Sequence, residues 1–354
     1  MNTHRYAIVD LSNLINRCRH VTIGDSWTKA SMAIQILFRS LRKIYRKNKI
    51  DHIVFAVDAG SWRHSVYPQY KARRRLERLS LKPDQKEENE VFYAVLKSLV
   101  EFLKDKTRCT ILEKQNIEAD DFVARWIHFH PNDEHIIVSG DSDFVQLISS
   151  NVSIFDGVQE RFISLNGVKN AKGENVEFSI QPKDGKIKVG KINPHFVPET
   201  EWWKKALFVK LIRGDAGDGI FSAYPGVRYK GSSKREGIQE VWEDRFEQGY
   251  HWNNFFHQEW KKLVEDSSGN TCEIKVRVID EYKINVNLID LTQQPDDIKK
   301  IMDDAIAESI KKPMVKNVGL HFLRFCGDND LPDLAKESSE HATYLNCGYP
   351  MEII

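Results

Sequence analysis

Three short apolar runs, each closed by an aspartate, constrain this 354-residue chain more than any other feature. Tyr6-Ala7-Ile8-Val9 leads into Asp10, Ile53-Val54-Phe55-Ala56-Val57 into Asp58, and Ile136-Ile137-Val138-Ser139-Gly140 into Asp141 and Asp143. Uninterrupted apolar runs of this length suit strands covered on both faces, as in parallel sheets. Chemistry in open parallel sheets gathers at the carboxyl ends of strands. The pattern predicts an α/β core with a central, mostly parallel sheet and an acidic edge.

The intervening segments fill in that core. Ser12 and Asn13 read as turn and cap residues before a helical region that begins near Lys29. Its apolar positions Met32, Ile36, Leu37, Leu41 and Ile44 recur at helical spacing, which leaves Arg39, Arg42, Lys43 and Arg46 on a face read as solvated. Leu76 to Leu103 is helical with a break near Pro83, an element placed to stand beside a site. Arg108 to Leu112 reads as a strand, and Asn116 as the cap of a helix that opens with Glu118, Asp120 and Asp121. Val152 to Asp156 is a further strand, and residues 157–198 read as a hairpin insertion. Helices follow at Trp202 to Ile212, Trp242 to Val264, Pro295 to Ile310 and Val318 to Phe325, with an extended piece at Glu273 to Val278 and a weakly ordered tail after Asp333. The expected division is a catalytic domain over residues 1–200, a second unit over 201–330, and a tail over 331–354.

Asp10, Asp58, Glu118, Asp120, Asp121, Asp141 and Asp143 all fall at strand ends or at the start of the helix that follows one. So many carboxylates in one place repel one another and raise their own pKa values, and a hard divalent cation is the simplest way to hold them ionised. Asp215 and Asp218, in the turn Gly214 to Ile220, are two further candidates. Five cysteines lie far apart with no metal-ligand spacing, so an oxygen-rich site for Mg²⁺ or Mn²⁺ has no sulfur competitor, and a reducing cytoplasm is the expected location. No apolar run reaches membrane-spanning length.

The formal net charge of +1 excludes a uniformly basic coat, so any nucleic-acid contact must come from local patches. One runs from Trp62 to Arg75, where Arg63, Lys71, Arg73, Arg74 and Arg75 alternate with Trp62, Tyr67 and Tyr70, a mixture suited to phosphates and stacked bases. The other surrounds Gly226 and Gly231, where backbone amides and Arg228, Lys230, Lys234 and Arg235 suit phosphate contacts without base reading.

The quoted pieces together resemble the 5′-nuclease family: flap endonucleases, the 5′-nuclease domain of bacterial DNA polymerase I, and phage 5′-exonucleases, including those called ribonuclease H. The resemblance spans about residues 5–330 and rests on Val9-Asp10, on Asp58 with Trp62-Arg63 and Tyr67-Pro68-x-Tyr70-Lys71-x-x-Arg74, and on Ile117-Glu118-Ala119-Asp120-Asp121, Ser139-Gly140-Asp141-Ser142-Asp143 and Gly214-Asp215-x-x-Asp218. It implies a PIN-like core, a helical arch or clamp near residues 75–100, and a helix-three-turn-helix unit that holds duplex DNA. It also implies two divalent ions. Asp10, Asp58, Glu118, Asp120 and Asp141 would belong mostly to the first, and Asp121, Asp143, Asp215 and Asp218 to the second, with Lys71 and Arg74 at the scissile phosphate. The implied substrates are branched or nicked duplex DNA and RNA/DNA, with single-strand-binding protein and sliding clamp as replication partners of a monomer.

The family's compact Asn-Ile-Pro-Gly turn, associated with a monovalent cation such as K⁺, is here lengthened to Gly219 through Gly226, with Gly217 before Asp218. That lengthening and the insertion look more like the tailed-phage branch, which implies a replication nuclease working in a host cytoplasm. Other classes fit less well. A branched-DNA-binding protein of the same fold without catalysis would have lost one of the acids. An aspartyl-phosphate phosphatase would want an Asp where Ser12 stands, and Gly226 to Ser232 has the glycine spacing of a P-loop without its lysine.

Overall fold

The computed structural model describes residues 3–21, 24–232, 235–265 and 271–350. Strands β1 (Arg5–Asp10), β2 (His52–Ala56), β3 (Thr110–Leu112), β4 (Glu134–Val138) and β5 (Val152–Asp156) form a parallel sheet in the order β3-β2-β1-β4-β5. The period-two alternation of a two-faced sheet is complete. Ala7, Val9, Ile53, Phe55, Ile136 and Val138 point into one core, and Tyr6, Ile8, Val54, Ala56 and Ile137 into the other.

The first core is covered by α1 (Leu11–Val21) and α2 (Ser26–Asn48); α3 (Arg63–Val66) and α4 (Ala72–Leu79) contribute nothing to it, and the long α5 (Pro83–Lys106) closes it. Asp25 caps α2 by accepting from the Thr28 amide at 2.8 Å, worth about 1 kcal/mol, and Lys49 ends the helix in the left-handed region at φ 49°. The second core lies under α6 (Ala119–Phe129). The expected break near Pro83 is present, with Pro83 opening α5.

Beyond β5 the sheet continues, antiparallel, through β6 (Arg161–Ser164), β7 (Gly167–Lys169), β8 (Asn175–Ile180) and β9 (Ile187–Ile192), so the expected single hairpin is a four-strand extension of the main sheet. Helix α7 (Trp202–Arg213) returns to the core, followed by a Gly-rich loop, α8 (Ile238–Glu243) and α9 (Tyr250–Phe256). The helix expected through Val264 is instead strand β10 (Glu259–Glu265), paired with β11 (Thr271–Arg277). Trp260, Lys262 and Val264 alternate toward Val276, Ile274 and Cys272, a strand period that overrides the helical reading. Then come α10 (Val278–Ile289), α11 (Asp296–Ser309) and α12 (Val318–Asp328).

Three further expectations change. Helix α1 starts directly after β1, because the Asp10 carboxylate accepts from the Asn13 amide at 3.1 Å and caps it, while Leu11, Leu14 and Ile15 face the core. Asn116 is not the cap of α6; it adopts φ 63° in the turn before it, and Glu118 occupies the cap position. The tail is helical as far as Leu345, where weak order was expected. Helices α13 (Pro332–Lys336) and α14 (Ser338–Leu345) bury Leu334, Tyr344 and Leu345 in the first core, and the Tyr344 hydroxyl donates to the Phe38 carbonyl at 3.2 Å. No described helix is long and apolar enough to cross a membrane.

Candidate active site

The chain leaves β1 toward β2 on one side and reaches β4 on the other, so Asp10 lies at the switch point of the sheet, where such folds open a crevice. Its carboxylate accepts from the Asn13 amide and, at 3.1 Å, from the Ser139 hydroxyl. Asp141 accepts from the Asp143 amide at 3.0 Å and from the Asn13 side chain at 3.3 Å. Asp58 accepts from the Ala119 amide at 2.8 Å, which ties the end of β2 to the start of α6, and Asp120 accepts from the Asp121 amide at 2.8 Å.

None of Asp10, Asp58, Asp120 and Asp141 has a cation within 4.0 Å among the described residues. Burial pushes Asp10 well above the usual carboxylate range, and Asp58 and Asp141 push it further. Burial, then Glu118 and Asp121, do the same to Asp120; burial and Asp143 raise Asp141.

The other acids are neutralised internally. Arg63, 1% exposed, donates to Glu118 at 2.8 Å and to both Asp121 oxygens at 2.9 Å, while its Nε reaches the Leu288 carbonyl. Trp62 Nε1 and Gln294 Nε2 complete the Asp121 shell at 3.0 and 3.2 Å. Glu118 also accepts from Ser61, from the Tyr70 hydroxyl and from Lys71. Burial opposes its ionisation, yet Lys71 and Arg63 outweigh that and hold it below the ordinary value. Lys210 bridges Asp143 and Asp215, the latter at 2.8 Å, and lowers Asp215 against its burial. Arg74 meets Asp218 at 2.9 Å, but burial leaves Asp218 raised.

The segment 67–75 docks onto the loop after α7. Lys71, at φ 51°, donates its amide to the Asp218 carbonyl at 2.7 Å, and a Cβ on Gly219 would lie 2.7 Å from the Gln69 carbonyl. Lys71 and Arg74 are thereby held at the acidic lip, with the Arg74 side chain half exposed.

All nine predicted acids therefore line one connected region, and Glu118, Asp120 and Asp121 each offer an oxygen within 4.8 Å of the others. Asp121 nevertheless differs from its neighbours, since both of its oxygens are already engaged and it is fully buried. Two predicted nucleic-acid contacts are corrected. Arg63 and Tyr70 are 1% and 2% exposed, and they position Glu118 and Asp121 instead of reaching a ligand. Arg75 is exposed, but its guanidinium holds the Pro68 and Tyr70 carbonyls; Arg73 pairs with Glu77. Arg228, Lys230 and Arg235 are exposed on the loop before α8 and make no ion pair with the acids; Lys234 lies outside the described residues. Lys210 escaped the sequence reading, although a lysine between the buried Val209 and Leu211, five residues before Asp215, is the signal that would have found it.

Residues 5–173 match the family model of the 5′-3′ exonuclease N-terminal, resolvase-like domain. Through this segment, just under half of its length, the chain resembles the 5′-nuclease family. The flap endonuclease Xni of Psychromonas ingrahamii is 28% identical over 177 residues, 48% of this chain and 63% of that protein. The Xni of Yersinia pseudotuberculosis is 28% identical over 182 residues, 50% of this chain and 62% of its own length. The matched region thus spans less than two thirds of these relatives. In fold, the chain resembles the phage T5 D15 protein co-crystallised with metal ions (TM-score 0.52, 19% identity, 96% of this chain and 100% of that one) and the T5 D15 flap endonuclease complex with DNA and metal ions (TM-score 0.52, 20% identity, the same coverage). The shared fold is the α/β core, with its mostly parallel sheet, described above.

Proposed function

We propose that this chain is a divalent-metal-dependent 5′ nuclease, cleaving 5′ ends and flaps of branched or nicked duplex DNA and acting on RNA primers paired with DNA. The observation that carries the reading is the cluster of acids Asp10, Asp58, Asp120 and Asp141, none of which is ion-paired with a cation among the described residues. An all-oxygen, anionic donor set of this kind fits Mg²⁺ or Mn²⁺ and excludes softer preferences. Divalent ions at such sites supply Lewis acidity for in-line attack of water on a phosphodiester.

The chain's own residues do the rest. Ser139 and Asn13 aim the carboxylates of Asp10 and Asp141 through their hydrogen bonds. Lys71 and Arg74 present charge at the lip, where a phosphate gathers negative charge during displacement. Asp143, Asp215 and Asp218 stand one layer further out, each already paired with a cation, and suit a second ion held partly through water. Helix α7, the loop with Arg228, Lys230 and Arg235, and α8 form the duplex grip, which we assign to a helix-three-turn-helix role, with K⁺ as its candidate monovalent ion. Helices α4 and α5 form the arch. The reading extends to primer and flap removal in phage replication, with single-strand-binding protein and sliding clamp as partners.

Cleavage of 5′-labelled flap, nicked and RNA-primed duplexes, with Mg²⁺, Mn²⁺ or chelator, tests this directly. Products that require a divalent ion and begin at the 5′ end support it. Chelator-resistant cleavage, or none on any of these substrates, overturns it.

A further inference from the structure

The cations of α2 at positions 39, 42, 43, 46 and 47 follow the i, i+3, i+4, i+7, i+8 spacing of one helix face. That face is more than a solvated surface. It walls an open cavity of about 690 Å³ whose other side is the turn after β5, and none of the nine site acids lines it. Ile36, Phe155 and Val158 supply apolar surface, with the Lys43 ammonium 5.9 Å from the Phe155 ring centroid.

Three of the cations already hold carboxylates presented on peptide. Arg42 pairs with Glu337 and, at 3.3 Å, with Glu340; Arg46 pairs with Glu340 at 2.6 Å; Lys43 pairs with Glu160. Arg39 and Lys47 are exposed and make no ion pair among the described residues.

We propose that this cavity is a docking site for a short acidic peptide segment of a partner protein, carrying one or two apolar side chains. Charge complementarity names the carboxylates, since the same helix face already pairs with two glutamates three residues apart, Glu337 at the N-cap of α14 and Glu340 within it. The apolar wall names the other half of the ligand. A nucleic-acid backbone, by contrast, supplies the charge but no aliphatic side chain for the wall of Ile36, Phe155 and Val158. The site is separate from the nuclease reading, and peptide binding is measured without turnover.

The test uses the full chain and fluorescence anisotropy of a labelled hexapeptide, Asp-Glu-Asp-Asp-Leu-Phe. Its controls are an Asn/Gln version, a version ending Ser-Ser, and a single-stranded oligonucleotide as competitor. The expected result is binding that weakens with salt, is lost in both control peptides, and falls about tenfold in the Arg39→Glu, Lys47→Glu double variant, with flap cleavage unchanged. Both positions are exposed, so the variant keeps the fold. No binding, equal binding of the neutral peptide, full affinity in the double variant, or displacement by the oligonucleotide with loss of DNA affinity in the variant would overturn the proposal; the last outcome would give the cavity to nucleic acid.

Discussion

The acidic region solves one electrostatic problem in two ways. Glu118, Asp121, Asp143, Asp215 and Asp218 are held by Arg63, Lys71, Arg74 and Lys210, whereas Asp10, Asp58, Asp120 and Asp141 have hydrogen bonds and no ion pair among the described residues. The first half is complete as folded. The second stores repulsion, visible in the raised Asp10, Asp120 and Asp141, that an external cation relieves. The difference teaches that a carboxylate's part is set by what faces it, and it predicts that the two halves respond to substitution in opposite ways.

The largest effect belongs to the unpaired half. Asp141→Asn is expected to lower single-turnover cleavage on the order of a thousandfold, ~4 kcal/mol, while leaving branched-DNA binding nearly intact. In chelator the variant should melt no lower than wild type, since it sheds a repelling charge. Cleavage within tenfold of wild type, or a marked loss of melting temperature in chelator, would break the comparison.

Next comes the paired half. Arg63→Ala leaves Glu118 and Asp121 without their shared partner at a buried site, and should cost about 3–5 kcal/mol of stability with or without metal. Denaturant titration reads it. A loss that metal fully restores would mean that Asp121 belongs with the unpaired acids after all.

These two halves were unequally legible. The strand-end aspartates could be read because each closes an apolar run, and a strand's end is a local property. Which acids are neutralised could not. Arg63 and Tyr70 sit in the same cation and aromatic mixture as the exposed Arg73 and Arg74, and composition is blind to which of them folds inward. Lys210 reaches Asp143 across 67 residues, a pairing no local pattern records. The core helices α13 and α14 were missed for a related reason. Their apolar residues are few, and only docking on Phe38 and α12 gives Tyr344 and Leu345 a reason to be helical.

The opposite end of the sheet sharpens the contrast through pH. His52 and His135 are buried, and burial lowers both from 6.5 to about 4. The unfolded chain therefore binds more protons between pH 4 and 6.5, so their contribution disappears as pH falls through that window, about 3 kcal/mol each. The raised carboxylates act with the reverse sign, since the metal-free native state binds more protons than the unfolded one and loses stability as pH rises through their folded pKa values. Comparing wild type with a His52→Asn, His135→Asn variant isolates the histidines: the stability gap should narrow from pH 7 to pH 4. A gap independent of pH would mean that these rings titrate normally.

The smallest effect falls on the cations at the boundary between the halves. Lys71 touches Glu118 and lies 3.9 Å from Asp218, while Arg74 pairs with Asp218 alone and keeps half its side chain in solvent. If both serve mainly to stabilise charge on the reacting phosphate, Lys71→Ala should lower the rate at saturating enzyme by tens of fold, about 2 kcal/mol, and Arg74→Ala by less, because its charge is better screened. Affinity for flap DNA, measured in Ca²⁺, should change little for either. The unequal pair separates chemistry from grip: a residue that only tracks the backbone loses affinity and salt dependence together, with no loss of saturated rate. If Lys71→Ala behaves in that way, its bond to Glu118 is internal neutralisation like that of Arg63, and the paired half of the site contributes structure but no transition-state charge.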